Sequence, residues 1–245
     1  MILDLSNTSE EFQRLANAIS LLKAELLPAD LERDDFAVTY SQQSSEDLSH
    51  LSTKAKAFIA LSHAEIEEYI ENRSTSIENN AINAWKRERK VGISLLSLMI
   101  FFPKREDNET TGFSSNLPND KLIKRLIEKL EHYKYLDREI DNVNNLFRDK
   151  VDKNHGIQSI KLFSLLIPLG LKIDVFDELW IQEVESLAND RGQIVHKSRY
   201  SISQPINPRD KFEQVYKILY GRDLTNKFLF KGLVDIDREL DQLLL

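Results

Sequence analysis

Residues 58–70 read FIALSHAEIEEYI, and the apolar spacing in this stretch indicates an α-helix. It is part of a longer segment, from about Ser45 to Asn72, in which apolar residues recur every three or four positions. These residues are Leu51, Ala55, Phe58, Ile59, Leu61, Ile66, Tyr69 and Ile70. The spacing places them on one face of an α-helix. A long amphipathic helix predicts a helical bundle, because other helices must cover its apolar face.

The composition also favours helices. The chain has 245 residues but only 7 Gly and 6 Pro, and so few turn-forming residues favour few, long elements. Apolar residues make up 41% and charged residues 30%, which is typical of a soluble globular protein with a sizeable core. Neither a linker nor an internal repeat is visible. We therefore expect one all-α domain over residues 1–245.

Periodic apolar residues predict further helices on both sides of the central stretch. Residues 93–102 fit a buried helix better than a strand, whereas residues 103–118 are charged, polar and turn-rich and predict a loop. The motif described below is expected on a helix that begins at Asp174. The other predicted helices cover residues 9–27, 74–90, 119–150, 157–169, 209–220 and 223–244.

Several classes of protein are excluded or disfavoured by the sequence. There is no cysteine, so disulfides, thiolate metal sites and cysteine nucleophiles are excluded, which fits a cytoplasmic protein. Residues 1–5 do not begin a signal peptide, and the apolar run at residues 93–102 is too short to span a bilayer, so no membrane association is expected. The net charge of −7 argues against a DNA-coating protein but leaves RNA binding in a local basic cleft open.

Residues 187–197, LANDRGQIVHK, place Arg191 five positions before His196. An imidazole can move a proton near neutral pH, and a guanidinium binds phosphate with a planar fork of donors. Such a pair can cut RNA without a metal if His196 acts on the 2′-hydroxyl or the leaving oxygen while Arg191 stabilises the phosphate. The spacing alone is equally that of a surface arginine followed by a histidine at a helix end.

Residues near this pair are candidates for supporting roles. Asn189 and Asp190 precede the arginine and could orient the site. Glu65 or Glu68 could reach the motif from the long helix and orient His196, with an ordinary surface salt bridge as the alternative. Lys197 and Arg199 follow the histidine and could bind RNA phosphates, or simply form a charged helix end.

The remaining histidines do not indicate a metal site. His63 lies near Glu65, but their spacing is not the i, i+4 pairing of a zinc-binding helix. His155 precedes a glycine and is predicted to be a structural residue of a turn. There is no glycine-rich phosphate loop and no nucleophile elbow. We therefore expect no metal and no cofactor.

The Arg191–His196 motif and the order of the other segments together make the chain resemble the HEPN superfamily and, within it, the RiboL-PSP type of HEPN domain. These are all-helical bundles whose ribonuclease members carry Arg, then four to six residues, then His. Arg191 and His196 fit the shortest version. The likeness also covers residues 58–70, the NHGI of residues 154–157 followed by LLIPLG, and the leucine-rich helix before the motif. It spans about residues 51–200, so helix 9–27 and the helices of residues 209–244 are expected as extensions of a HEPN-like core.

The resemblance implies a metal-independent endoribonuclease acting on RNA, a toxin or antiphage defence effector, with an antitoxin or other regulatory protein as a partner. It also implies a homodimer in which the motifs of two subunits face each other. One departure is Gly192, since the residue after the motif arginine is usually polar. This departure favours the alternative of a catalytically inactive HEPN module that binds RNA or a protein partner. A third reading is a helical scaffold in which the motif occurs by chance.

Helix geometry bears on how the motif works. Five residues of a regular helix turn through about 500°, so the side chains of Arg191 and His196 point about 140° apart. Either the helix loosens at Gly192, or long side chains curl inward, or a two-fold axis completes the site. For a dimer, the expected apolar contacts come from Trp180, Phe228 and Phe230.

Overall fold

The computed structural model describes residues 7–33, 35–102, 133–196 and 205–244, with the backbone alone for residues 133–135 and His196. Over these ranges the all-α prediction is confirmed, and the one β-type pairing is an isolated bridge between Arg222 and Phe228. The helices are α1 Glu10–Leu26, α2 Phe36–Ser41, α3 Ser45–Glu88, α4 Ile93–Phe101, α5 Tyr133–Asp152, α6 Ser159–Leu166, α7 Glu178–His196, α8 Pro208–Tyr220 and α9 Leu233–Gln242. The 3-10 helices Ile167–Leu169 and Ile173–Val175 lie between α6 and α7.

The longest helix, α3, is continuous for 44 residues, although the sequence predicted two helices there. The side chain of Ser44 caps its start by accepting a 3.1 Å hydrogen bond from the backbone N–H of Asp47. No Gly or Pro interrupts it. The polar residues Arg73 and Ser74, at the junction of the two predicted helices, are buried in the continuous helix.

The bundle is organised around α3, which contacts α1, α4, α5, α6, α7 and α8. Leu61, expected on the inner face, is exposed. The apolar side chains that α3 buries against its neighbours include Phe58, Ile59, Ile66, Tyr69, Ile70 and Ile77.

A buried polar cluster fixes both terminal helices to α3. The carboxylate of Asp237, on α9, accepts hydrogen bonds from the backbone N–H of Ser9 at 2.8 Å, from the hydroxyl of Ser9 at 2.6 Å and from the hydroxyl of Tyr69 at 2.8 Å. The same carboxylate lies 3.1 Å from Nε of Arg73. Asp237 is fully buried and Arg73 almost fully buried. Removing either side chain would therefore leave the other charged group buried without this partner.

Two predicted boundaries near the C-terminus are wrong. The motif helix α7 begins at Glu178 rather than at Asp174, because residues 173–175 form a 3-10 helix. The last helix begins at Leu233 rather than at Asp223. Asp223 instead holds a turn, where its Oδ1 accepts hydrogen bonds from the backbone N–H groups of Thr225 and Lys227, each at 2.9 Å.

Some predictions fall outside the described residues: the loop at 103–118, the first part of the helix predicted at 119–150, and the basic residues Lys197 and Arg199. In the part of the chain that the structure describes, no helix combines the length and apolar character that crossing a membrane requires.

Candidate functional site

Arg191 lies where the buried face of α7 leaves the core. Val184, Leu187 and Ala188 are buried on that face, and Arg191 follows Leu187 by four positions and Ala188 by three. The same spacing that directs the apolar side chains inward therefore directs the guanidinium toward the neighbouring helices. Arg191 itself is half-buried.

Two residues predicted to form dimer contacts belong to the core instead. Trp180 is 1% exposed, and its indole N–H donates a 3.0 Å hydrogen bond to the backbone carbonyl of Ile218 on α8. Phe230 is 4% exposed. Of the three residues expected at an interface, only Phe228 is exposed.

Arg191 lines a groove of about 900 Å³. Three parts of the chain form its walls: α7, α3 and the loop between α5 and α6. Helix α7 contributes Ala188, Asn189, Arg191, Gly192 and Gln193. The other walls contribute His63 and Glu67 from α3, and His155, Gly156 and Gln158 from the loop.

The residues of α7 that line the groove are spread widely around the helix axis, and the angular position of His196 falls within their spread. The helix continues through Gly192 to His196, so the backbone does not loosen at the glycine. At about 100° per residue, Gly192 falls between Arg191 and His196 around the helix axis. The position of His196 follows those of Asn189 and Gln193, which both line the groove. Around the helix axis, the position of His196 therefore falls within the arc spanned by the groove-lining residues of α7.

His63, a polar residue expected at a pocket on the later turns of the long helix, lines the groove. It is 3% exposed, and its Nδ1 lies 3.6 Å from Oε2 of Glu67, one helical turn further along α3. Burial, followed by the positive charge of Arg191, lowers the pKa of His63 from 6.5 to about 4, so the imidazole is neutral at neutral pH. The i, i+4 spacing of His63 and Glu67 was visible in the sequence, but only the packing of α7 against α3 brings the pair to Arg191.

The loop that carries His155 is fixed at both ends. Before it, the side-chain N–H of Asn154 donates to Oε1 of Glu71 on α3 at 2.9 Å and to the carbonyl of Gly156 at 3.3 Å. Gly156 has a φ of +130°, which favours glycine. After it, the backbone N–H and hydroxyl of Ser159 donate to Oε1 of Glu185 on α7, at 2.7 and 2.6 Å. The loop is thereby held between α3 and α7.

Some of the residues predicted to support the motif line the groove, and others do not. Asn189 lines the groove, but the carboxylate of Asp190 pairs with Nζ of Lys211 on α8 at 2.6 Å. Glu65 and Glu68 both face a separate pocket beside Arg14 of α1, so the expectation that one of them is oriented toward the motif is wrong. Glu67, two residues after Glu65 on α3, occupies the place expected for Glu65.

Among the described residues, no group of three or more His, Asp or Glu side chains is arranged to hold a metal ion.

A family model described as RiboL-PSP-HEPN matches residues 32–228. The match extends beyond residues 51–200 at both ends and takes in α2 and α8. No curated protein and no solved structure matches the chain.

Proposed function

This chain belongs to the RiboL-PSP-HEPN family, and on that premise we propose that it is a metal-independent endoribonuclease. HEPN domains are often ribonucleases, so the family makes an RNA-related function the first expectation. The observation that carries the proposal is the placement of Arg191 in a polar groove, on the side of α7 that also holds the helix position of His196.

The arginine is available for a phosphate. No ion pair joins Arg191 to a carboxylate of the described residues, and its neighbour Asp190 is engaged by Lys211. The neutral imidazole of His63 does not add a positive charge that would repel the guanidinium. A half-buried, unneutralised guanidinium is suited to bind a phosphate through two parallel hydrogen bonds.

The reaction follows from these groups. The 2′-oxygen of a ribose attacks the adjacent phosphorus, and the bond from phosphorus to the 5′-oxygen breaks. His196 transfers a proton at one of these two oxygens, and Arg191 stabilises the negative charge that grows on the non-bridging oxygens. The products carry a 2′,3′-cyclic phosphate and a 5′-hydroxyl, because the attacking group belongs to the RNA.

We further propose that the active form is a homodimer with both motifs at the interface. Val195 supports this because its apolar side chain is 52% exposed one turn after Arg191 and directly beside His196. Exposed apolar groups beside a charged motif are available to stabilise association. A cytoplasmic ribonuclease of this kind would serve as a toxin or antiphage effector, restrained by an antitoxin or other regulatory protein.

Gly192 favours a second candidate function. It lies in the groove between the two motif positions, and no atom of its surroundings comes within 4 Å of the place where a Cβ would be. The polar side chain usual at this position is therefore missing, and none of the described residues fills the space. A HEPN module without activity would bind RNA or a protein in the same groove.

The test is cleavage of single-stranded RNA by the purified protein in the presence of EDTA. We expect cleavage by the wild type and a loss of about 10²–10³-fold in Arg191→Ala, the effect of removing a donor to a developing negative charge. Arg14→Ala is the matched control, because Arg14 is an exposed arginine of α1 away from the groove. RNA that binds but stays intact would favour the second candidate.

A further inference from the structure

Cleavage of RNA by its own 2′-hydroxyl needs two proton transfers. One proton leaves the attacking 2′-oxygen, and another protonates the departing 5′-oxygen. The motif of one chain supplies one histidine, His196, and in the proposed homodimer the motif of the second copy would bring another to the interface. Two further histidines, His63 and His155, line the same groove, so the second proton carrier can come from the same chain.

His63 is poorly suited to this role. Its side chain is almost fully buried, and its Nδ1 faces Glu67 at 3.6 Å. Burial and the charge of Arg191 lower its pKa to about 4, which leaves no proton to donate near neutral pH. The arrangement fits a residue that supports the wall around Arg191.

His155 is suited to the role of second proton carrier by its exposure and by its position. It is exposed at the groove, so substrate and solvent can both reach its ring. It also lies on a different element from the motif. In-line displacement puts the attacking and leaving oxygens on opposite sides of the phosphorus, so proton carriers on two separate elements reach both oxygens more readily than two on one helix.

The surroundings of His155 hold its loop in place and bring charged side chains of both signs near it. Asn154 ties the loop to α3, Ser159 ties it to α7, and the side chain of Ile157 is fully buried in the core. The charged groups of the described residues around the loop include Glu67 and Glu71 from α3 and Arg191 and Glu185 from α7. The carboxyl of Glu71 is close enough to His155 for the two side chains to interact electrostatically.

We propose that His155 is the general acid of this reaction, an assignment that rests on the ribonuclease function proposed above. The 2′-hydroxyl gives its proton to His196 as the 2′-oxygen bonds to phosphorus. The bond from phosphorus to the 5′-oxygen breaks, its electron pair stays on that oxygen, and the oxygen takes a proton from His155. Exchange with water then returns both imidazoles to their starting states.

The experiment compares two substrates that differ in the leaving group. One is a dinucleotide, whose 5′-oxygen must be protonated as it leaves. The other is uridine 3′-(4-nitrophenyl phosphate), whose leaving group departs without a proton. The variants are His155→Ala and the size-preserving His155→Gln. The control is His50→Ala, which removes an exposed histidine of α3 that does not line the groove.

We expect both His155 variants to lose about 10²–10⁴-fold in rate on the dinucleotide, the range for a lost general acid, and to keep most of their rate on the nitrophenyl substrate. The same relative loss on both substrates would overturn the assignment and leave His155 a binding or structural residue. So would a dinucleotide rate equal to that of His50→Ala. A wild type inactive on both substrates would refute the ribonuclease proposal itself, which separates the two failures.

Discussion

The side-chain amide nitrogen of Asn154 lies 2.9 Å from Oε1 of Glu71, and this hydrogen bond ties the loop of His155 to the middle of α3. Burial raises the pKa of the Glu71 carboxyl, while the hydrogen bond from Asn154 acts in the opposite direction. The bond therefore stabilises a partly buried carboxylate and also sets the position of one groove wall.

We expect Asn154→Ala to lower the free energy of unfolding by about 1–2 kcal/mol, because it leaves a partly buried carboxylate without its donor. RNA cleavage should fall as well, since the loop loses its tie to α3. Thermal unfolding and cleavage rates check both effects. Asn83→Ala, at an exposed position of α3, is the control and should change little. Unchanged stability of Asn154→Ala would contradict a positioning role for this bond.

Gly192→Ala should stabilise the protein by roughly 0.5–1 kcal/mol, because alanine replaces a glycine inside a helix. A Cβ there would have no atom within 4 Å, so no clash opposes the gain. Gly192→Asn, which supplies the missing polar side chain, should be tolerated for the same reason. Denaturant unfolding measures the effect, and a destabilised Gly192→Ala would show that the groove is narrower than described.

The lowered pKa of His63 predicts a pH dependence of stability. Between about pH 6.5 and pH 4 the unfolded chain binds a proton at this ring that the folded protein does not, so stability falls as pH falls through this window. We expect His63→Gln to lose less stability than the wild type between pH 7 and pH 5, by up to roughly 1–2 kcal/mol. His50→Gln should follow the wild type. Parallel curves for wild type and His63→Gln would rule out a neutral, buried His63.

The all-α fold was predictable from the sequence because apolar periodicity and the scarcity of glycine and proline act locally. The continuity of α3 was not. Arg73 and Ser74 lie at the junction of the two predicted helices, yet Arg73 is partnered by Asp237 and Asp241, more than 160 residues away in the chain. Local spacing carries no information about such partners.

The residues that line the groove were likewise only partly predictable, because most of them come from parts of the chain that are distant in sequence. The placement of Arg191 follows from the spacing of the buried apolar residues of α7, and that spacing is visible in the sequence. His63, Glu67 and His155 reach it only through the packing of α3, α7 and the loop. Glu65 and Glu67 are both acidic residues of one helix, and they face different pockets because two positions turn a helix by about 200°.

The proposed dimer makes Val195 a sensitive position. Val195→Glu places a charge in an apolar contact next to the motif, so it should shift a dimer toward monomer and reduce RNA cleavage without lowering helical content. Light scattering at micromolar concentration measures the mass. Val38→Glu is the matched control, since Val38 is an exposed valine of α2, outside the groove. A monomeric wild type would contradict the proposed assembly.

The chemical identity of the RNA ends distinguishes a metal-independent ribonuclease that uses His196 from other nucleases. A 5′-labelled single strand is incubated with wild type, His196→Ala or His50→Ala in EDTA, and the 3′ ends of the fragments are tested with phosphatase before and after acid treatment. We expect fragments from the wild type and His50→Ala that resist phosphatase until acid opens a 2′,3′-cyclic phosphate, and no fragments from His196→Ala. Fragments ending in a 3′-hydroxyl, or undiminished cleavage by His196→Ala, would contradict a metal-independent mechanism built on this motif.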